Sequence, residues 1–284
     1  MEIINRRARM ASLARKLRRE NKTIGFVPTM GALHEGHLRL VEEARQMCDI
    51  VIVSIFINPA QFNDPKDLNK YPRDLTNDAA LLTEYQVDYI FAPETQEIYG
   101  ENFSTFVYVE NLTENLEGAS RPGHFRGVAT VVTILFNTIR PDFAFFGQKD
   151  AQQVAVIKRL TRDLGFDTEI VVVKTVREES GLAMSSRNAH LSSDERQRAS
   201  IIFQALRKAK LAAKEGERNA QRLAEIVREK IETESLAQID YVAVVDNETL
   251  EPVEKIGVDA VLIAVAVRFG TTRLIDNTVI TRTK

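Results

Sequence analysis

Short apolar segments of strand length alternate with helical patterns in the first two thirds of the chain, and this alternation limits the folds open to it. The strand-like segments are residues 23–27, 50–57, 87–92, 142–146 and 169–176. Apolar residues recur at helical spacing in residues 38–48, 74–85, 127–139 and 151–164. Parallel strands joined by right-handed helical crossovers produce such an order. We therefore predict an α/β fold with an open, doubly wound parallel sheet, to which residues 105–110 add a short strand.

The pattern changes after residue 176. Residues 192–195 read Ser-Ser-Asp-Glu, a capping box that opens a long helix, and a second helix spans about residues 220–232. Strand-like segments follow at residues 239–245, 260–269 and 272–280, and the turn residues beside them favour antiparallel pairing. We predict two domains, residues 1–176 with the parallel sheet and residues 177–284 as a smaller α+β domain.

Charge and cysteine content exclude several classes of partner. The 284 residues include 38 Lys and Arg against 40 Asp and Glu, a formal net charge of −2. This balance gives no basic surface for nucleic acid or an anionic membrane, and the apolar segment 50–57 is far too short to span a bilayer. The single cysteine, Cys48, excludes an intrachain disulfide and is typical of a reducing compartment. We expect a cytoplasmic protein with no nucleic-acid or membrane partner.

The junction between the first strand-like segment and the next helix carries two glycines and two imidazoles. Gly31 and Gly36 permit a tight turn, and His34 and His37 lie one helical turn apart. Unpaired backbone N–H groups and the positive end of the helix dipole favour an anion there, so this turn suits a triphosphate. A tight turn with two exposed histidines is the alternative. Structural zinc is disfavoured, because the one cysteine and the other two histidines are not spaced as further ligands.

Polar side chains also follow two other strand-like segments. Gln61 comes after Pro59, which ends a strand, and its amide can donate to or accept from a carboxylate or hydroxyl. An exposed loop amide is the alternative. Lys149 follows Gly147 at a second strand-to-helix junction, where its ammonium group suits triphosphate oxygens. Gln153 lies one helical turn further along and can face the same cleft.

Two loops have a composition suited to phosphates or to gating. Residues 181–188 contain Ser185, Ser186 and Arg187, whose hydroxyls and guanidinium can clamp phosphates. A Ser-rich linker with a turn is the alternative for this loop. Residues 121–127 combine cations and glycines ahead of a helix and are suited to a flexible gate.

Together these segments resemble the pantoate-beta-alanine ligase family, also called the pantothenate synthetase family, of the HIGH-motif nucleotidylyltransferase superfamily. The resemblance covers essentially the whole chain, through residues 26–31, the segment around Gln61, and residues 71–74, 146–150 and 181–188. Two positions depart from the superfamily pattern. Glu35 fills the variable position of the first motif, and Arg187 behind two serines stands where the second motif commonly carries lysines.

The resemblance implies a Rossmann-like domain that binds ATP and pantoate in residues 1–176, with residues 177–284 closing over the site. It implies ATP-dependent condensation of (R)-pantoate with beta-alanine to pantothenate through a pantoyl adenylate, with release of AMP and pyrophosphate. Mg²⁺ would arrive with ATP, held mainly by phosphate oxygens, and the protein would supply no metal site and no tightly bound organic cofactor. A homodimer is implied as well.

The same resemblance assigns residues to these steps. His34, His37 and Lys149 would be catalytic, with His37 as the proton donor. Gln61 and Gln153 would bind pantoate, and Gln61 would also help to place beta-alanine. The residues implied to bind ATP are Met30, Gly31, Ala32, Leu33, His34, Glu35, Gly36, His37, Gly147, Gln148, Lys149, Asp150, Val176, Met184, Ser185, Ser186 and Arg187.

Several alternatives remain at this point. Asp78 is either an outer-sphere contact to magnesium or, as we favour, part of a solvated helix face. A nucleotidylyltransferase that leaves the nucleotide in its product would share the scaffold and the first motif. A tRNA-charging enzyme is disfavoured by the absence of a basic anticodon-binding region. A non-catalytic nucleotide-sensing module belongs to a different class, and the complete set of histidines, lysine and hydroxyls argues against it.

Overall fold

The computed structural model describes residues 1–257 and 259–281, and contacts divide the chain into two compact units. The first unit comprises Met1–Gly147 and Val156–Lys174, and the second comprises Gln148–Ala155 and the chain from Thr175 onward. The predicted boundary at residue 176 had placed the segment Gln148–Ala155 with the parallel sheet. That segment belongs to the second unit, where the side chain of Asn277 hydrogen-bonds Gln148 and Lys149.

The first unit is built on a parallel sheet. Its strands within the described residues are β1 (Glu2–Ile4), β2 (Ile24–Thr29), β3 (Ile50–Ile55), β4 (Tyr89–Phe91), β5 (Phe143–Gly147) and β6 (Glu169–Val173). They pair in the order β1-β4-β3-β2-β5-β6, and each pairing is parallel. The chain runs outward from β2 through β3 and β4, then returns to β5 on the other side of β2. This order gives a switch point between β2 and β5, and the prediction of a doubly wound, Rossmann-like sheet is confirmed.

Helices connect and follow these strands. Those before the end of β6 are α1 (Arg7–Arg19), α2 (Glu35–Met47), α3 (Pro65–Lys70), α4 (Leu75–Glu84), α5 (Thr95–Ile98), α6 (Leu116–Ser120), α7 (His124–Ile139) and α8 (Ala151–Asp163). Short 3-10 turns occupy Pro59–Gln61, Gln148–Asp150 and Ser186–His190. Within the described part of the chain, no helix combines the length and the apolar character that crossing a bilayer would require.

Burial of β2 and α2 explains why the first crossover forms where it does. Ile24 to Val27 are fully buried, as expected for a strand covered on both faces. Along α2 the buried positions are Leu38, Leu40, Val41 and Ala44, a single apolar stripe. This stripe packs against Val27 of β2 and Val53 of β3 in one core cluster. The same packing fixes the direction in which the chain leaves β2.

The second unit pairs helices with an antiparallel sheet. Its helices in the described residues are α9 (Ser193–Arg198), α10 (Ile201–Lys214) and α11 (Ala220–Ile231), and its strands are β7 (Ala237–Asp246), β8 (Val261–Phe269) and β9 (Thr272–Ile280). Strand β8 lies between the other two, and both pairings are antiparallel, as predicted. Apolar side chains of α10, α11 and β8, such as Leu206, Leu223 and Val265, form the core of this unit.

Two elements differ from their sequence-based predictions. Residues 105–110 are not assigned to a strand, since the backbone N–H of Val107 donates to the hydroxyl of Thr130 on α7 instead of to a strand. The capping box at residues 192–195 is present, but the long helix after it breaks into α9 and α10. Backbone bonds from Ser200 to Gln197 and from Ile202 to Ala199 span three residues, which tightens the chain between the two helices.

Helix α7 lies so close to the Pro59–Gln61 turn that a side chain at Gly127 should lower the stability of the protein. A Cβ there would overlap the carbonyl of Ala60, which is backbone and cannot rotate away. We expect Gly127→Ala to lower stability by about 1–3 kcal/mol. Thermal unfolding followed by circular dichroism measures this, with Gly100→Ala as control because its Cβ meets nothing within 4 Å. Equal melting temperatures for the two variants would contradict the expectation.

Candidate functional site

The turn after β2 is held by a buried carboxylate. Gly31 and Ala32 adopt φ values of 80° and 51°, in the left-handed region. Asp78 of α4 accepts hydrogen bonds from the backbone N–H groups of Ala32 at 3.0 Å and Leu33 at 2.8 Å. Because Asp78 is only 1% exposed, the prediction of a solvated helix face is wrong for it.

His34 and His37 cap the start of α2. The helix begins at Glu35, earlier than its apolar pattern indicated, and His34 is its N-cap residue. The Nδ1 atom of His34 accepts from the N–H of Gly36 at 3.1 Å, and the Nδ1 atom of His37 accepts from the N–H of His34 at 3.4 Å. The two ring centroids are 4.1 Å apart. Since both Nδ1 atoms accept, each neutral ring carries its proton on Nε2, which makes Nε2–H the donor on both rings.

Gln61 is oriented by Asn58. The Asn58 amide donates to Gln61 Oε1 at 3.0 Å and to the carbonyl of Gly127 at 3.1 Å. Its oxygen accepts from the hydroxyl of Tyr99 at 2.6 Å. Burial raises the pKa of Tyr99, outweighing the opposite effect of its bond to Asn58, so the phenol remains a donor. With Oε1 of Gln61 engaged, its Nε2 group lies toward Met30, whose Sδ is 3.1 Å away.

The backbone of Gln61 is supported from α7. His124 is buried, and its Nδ1 lies 2.8 Å from the carbonyl oxygen of Gln61, so Nδ1–H donates. Its Nε2 lies 3.4 Å from the guanidinium of Arg121, which can only donate. Arg121 also reaches the Gln61 carbonyl at 3.4 Å. Part of the segment 121–127, whose composition is suited to a flexible gate, therefore supports the backbone of Gln61.

In the second unit, Lys149 lies in a turn tied to β9. The side chain of Asn277 donates to the carbonyls of Gln148 and Lys149 at 2.9 Å and accepts from the Gln148 amide at 3.0 Å. The ammonium of Lys149 is 3.3 Å from Asp150 Oδ1. Gln153 follows on α8, whose first helical residue is Ala151.

The segment that carries Met184, Ser185 and Ser186 begins as a tight hairpin. The N–H of Met184 donates to the carbonyl of Val176 at 3.0 Å, and Arg177 bridges Ala183. Ser185 caps the following 3-10 turn, because its hydroxyl accepts from the N–H of Arg187 at 3.3 Å. These three predicted residues are partly buried, whereas Arg187 is exposed.

A buried ion pair fixes this hairpin to β9. Two nitrogens of Arg177 bond the two oxygens of Asp276 at 2.6 and 3.1 Å, and Asp276 is 4% exposed. Arg177 also donates to the carbonyl of Gly181 at 3.1 Å and lies over the ring of Phe203, 4.1 Å from its centroid. Gly181 has a φ of 93° and leaves no room for a Cβ against that ring. The pair therefore sets where the Val176–Met184 hairpin can lie.

A second anchor holds the far end of the same segment. Glu178 accepts from Asn188 at 2.8 Å and from two nitrogens of Arg196 at 2.9 Å. Burial by itself would raise the pKa of Glu178, but the hydrogen bonds and charge of Arg196, with the bond from Asn188, hold the pKa below its ordinary value. Glu178 thus stays ionised and keeps both partners.

Lys149, Ser185 and Arg187 line one open cleft within the second unit. Arg273, whose Nε bonds Asp240 at 2.6 Å, lines it as well. The cleft therefore combines three cationic side chains and a hydroxyl, which are donors suited to an oxyanion, with the carboxylate of Asp276 and several apolar side chains.

The predicted residues divide between the two units. Those at positions 30–37, with Gln61 and Gly147, lie in the first unit, and those at 148–153, 176 and 184–187 lie in the second. Glu35 is exposed. No three His, Cys, Asp or Glu side chains converge as metal ligands anywhere in the described residues.

Sequence reasoning missed the polar residues that hold these groups in place, namely Asn58, Arg177, Asp276 and Asn277. The only signal for the last two was a consecutive Asp-Asn pair between the apolar pairs Leu274-Ile275 and Val279-Ile280 of β9.

The sheet order and the glycine-histidine turn after its central strand define a class, the Rossmann-like α/β proteins whose first crossover presents a pair of imidazoles. The model of the pantoate-beta-alanine ligase family matches residues 2–279. The pantothenate synthetase of Heliobacterium modesticaldum is 54% identical over 280 residues, 99% of each chain. That of Carboxydothermus hydrogenoformans is 56% identical over 261 residues, 92% of each chain.

Solved structures agree with these relatives. The pantothenate synthetase of Thermus thermophilus has a TM-score of 0.90 and 44% identity over 98% of this chain and 99% of its own. The pantoate-beta-alanine ligase of Francisella tularensis, complexed with beta-gamma ATP and beta-alanine, has a TM-score of 0.79 and 36% identity over 98% and 97%. The chain therefore belongs to the pantoate-beta-alanine ligase family. The prediction that this chain is a pantoate-beta-alanine ligase enzyme is confirmed.

We expect loss of the buried ion pair between Arg177 and Asp276 to lower the stability of the protein strongly. Asp276→Ala leaves Arg177, whose side chain is 19% exposed, without its carboxylate partner. Breaking such a pair costs about 3–5 kcal/mol. Urea unfolding measures this cost, with Asp194→Ala as control, since its pair with Arg198 is exposed and screened by solvent. The expectation fails if both variants unfold at the same urea concentration.

Proposed function

We propose that the enzyme joins (R)-pantoate to beta-alanine in two ATP-dependent steps. A carboxylate oxygen of pantoate attacks the α-phosphorus of ATP, and the bond from that phosphorus to pyrophosphate breaks. The amine of beta-alanine then attacks the acyl carbon of the pantoyl adenylate, AMP leaves, and the ammonium group loses a proton. Support comes from the family and from the Francisella tularensis relative, whose complex contains beta-gamma ATP and beta-alanine.

The observation that carries this proposal is the imidazole pair at the start of α2. Both Nδ1 atoms accept backbone hydrogen bonds, so both rings hold an Nε2–H donor at the positive end of a helix dipole. Such donors suit the oxygens that gain charge as phosphorus becomes five-coordinate. In this scheme His34 binds the phosphates, and His37 donates to the departing pyrophosphate.

Cations and hydroxyls of the second unit act on the other phosphates. Lys149 holds the β and γ oxygens, and Ser185, Ser186 and Arg187 close from the other side. Their common cleft in the second unit supports this assignment for Lys149, Ser185 and Arg187. Catalysis then consists of positioning the reactants and stabilising charge, with no covalent enzyme intermediate.

The remaining ATP-binding residues are proposed to contact the nucleotide through backbone or side-chain atoms. They are Met30, Gly31, Ala32, Leu33, Glu35, Gly36, Gly147, Gln148, Asp150, Val176 and Met184.

Gln61 and Gln153 are proposed to bind pantoate. The hydrogen bond from Asn58 to Oε1 leaves the Nε2 group of Gln61 as the part that can donate to a substrate oxygen. An amide binds a carboxylate without forming a rigid ion pair, so the carboxylate keeps its nucleophilicity. Gln61 also helps to place beta-alanine.

Magnesium enters this scheme as part of the substrate, MgATP, held mainly by phosphate oxygens. We also propose a homodimer acting in the cytosol, which sedimentation of the purified enzyme and localisation of a tagged chain would check.

Release of AMP with each substrate omitted in turn tests the whole proposal. AMP should appear only when ATP, pantoate and beta-alanine are all present, and pantoate alone should support exchange of pyrophosphate into ATP. A product that retains the nucleotide would favour a nucleotidylyltransferase. Tight ATP binding without turnover would favour a nucleotide-sensing module.

Removal of the Lys149 ammonium should slow adenylate formation without unfolding the protein. Lys149→Ala is expected to lower pantoate-dependent pyrophosphate exchange by about 10²–10³-fold, the usual loss for one charge-stabilising donor. Lys158→Ala, an exposed lysine on α8, is the matched control. Exchange at the control's rate in a folded Lys149→Ala enzyme would remove Lys149 from the mechanism.

His37→Ala should lose a donor to the phosphates and one partner of the His34 backbone. We expect a fall of about 10²–10³-fold in the same exchange assay. His190→Ala removes an exposed histidine from the second unit and should retain full exchange. If the two histidine variants are equally active, His37 is not the proton donor.

A further inference from the structure

We propose that Asp78 is a positioning residue for the imidazole pair, an inference that rests on the proposed nucleotide-binding role of the turn after β2. Asp78 acts through the backbone of residues 31–33 and touches no substrate. Its carboxylate fixes the turn in a left-handed conformation, and the turn in turn sets where His34 and His37 point.

Both oxygens of the Asp78 carboxylate are bonded to the turn. Asp78 is 1% exposed, and each of its oxygens accepts one backbone N–H, Oδ2 from Ala32 at 3.0 Å and Oδ1 from Leu33 at 2.8 Å. A buried carboxylate is costly unless donors compensate it, so these two bonds are strong and directional. Both N–H groups therefore donate to Asp78.

These bonds hold the turn in a left-handed conformation. Ala32 has a φ of 51°, which costs an L-residue about 1–2 kcal/mol. Gly31, at a φ of 80°, lies so near that a Cβ would come within 2.8 Å of Asp78 Oδ2. The carboxylate thus occupies the space that the glycine leaves and offsets the strain at Ala32.

The turn is linked directly to the two imidazole rings. His34 follows Leu33 directly, and its backbone N–H donates to Nδ1 of His37 at 3.4 Å. A change in the peptide between Ala32 and Leu33 therefore shifts the N-cap residue and loosens the acceptor bond that sets the His37 tautomer. Displacement of reacting groups by about 1 Å can reduce a rate by about 10²-fold.

An amide at position 78 separates this role from simple packing. Asp78→Asn keeps the size of the side chain, yet its single oxygen can accept from only one of the two N–H groups, and its NH₂ group faces the other donor. We expect kcat/KM for ATP in pyrophosphate exchange to fall about 10²-fold. Asp74→Asn is the matched control, because Asp74 is exposed at the start of the same helix and asparagine caps equally well.

Two readouts distinguish positioning from a contact to magnesium. If Asp78 bound a water molecule held by magnesium, excess Mg²⁺ would restore pyrophosphate exchange in Asp78→Asn. A positioning role predicts that excess Mg²⁺ leaves the pyrophosphate exchange of this variant low. Nitrogen-15 spectra of the imidazoles should show Nε2–H tautomers for His34 and His37 in the unaltered enzyme, and mixed tautomers in Asp78→Asn.

A measurement on the unaltered enzyme covers the case in which Asp78→Asn fails to fold. The amides of Ala32 and Leu33 should exchange with deuterium as slowly as those of the neighbouring strand, although they lie outside regular structure. Rapid deuterium exchange of both amides would overturn the inference, as would full activity of Asp78→Asn or its rescue by Mg²⁺. Absence of pyrophosphate exchange in the unaltered enzyme would instead count against the proposed function.

Discussion

Pairing of β2 with β3 on one side and β5 on the other is the constraint on which the first unit depends. Each pairing is parallel, so the carboxyl ends of these strands lie at one edge of the sheet. The chain leaves β2 on one side of the switch point and returns to β5 on the other. Backbone donors at the first crossover bond Asp78 and the two imidazoles instead of a strand. Ligands of open α/β sheets bind at such a point. The glycines and histidines of the turn after β2 therefore lie at the point where a sheet of this kind binds ligands.

Local patterns were enough to predict much of this fold. Apolar runs of strand length located β3, β8 and β9 to within two residues, and the stripe on α2 predicted the first crossover helix. The capping box of Ser192 and Glu195 can be recognised from four consecutive residues of the sequence. These features depend on neighbours within a few positions in the chain, which the sequence displays directly.

Contacts between distant residues account for what could not be predicted. Asp78 lies 46 residues from Ala32, Arg177 lies 99 from Asp276, and Gln148 lies 129 from Asn277. Each of these polar groups looks like a solvated side chain when only its neighbours in sequence are considered. Asp78 lies in a helix of mixed polarity, and such a pattern favours a solvated face. Only the tertiary fold brings it against backbone donors, where a carboxylate is retained because it is compensated.

The three buried or half-buried histidines show how partners, more than residue type, set chemical roles. His34 and His37 accept at Nδ1, so their protons lie on Nε2 and can be presented to an anion. His124 bonds the carbonyl of Gln61 through Nδ1 and receives Arg121 at Nε2, so its proton lies on the opposite nitrogen. His34 and His37 therefore donate toward a proposed phosphate site, whereas His124 stabilises the backbone. The difference arises because Nδ1 meets an N–H group in the first two and a carbonyl oxygen in the third.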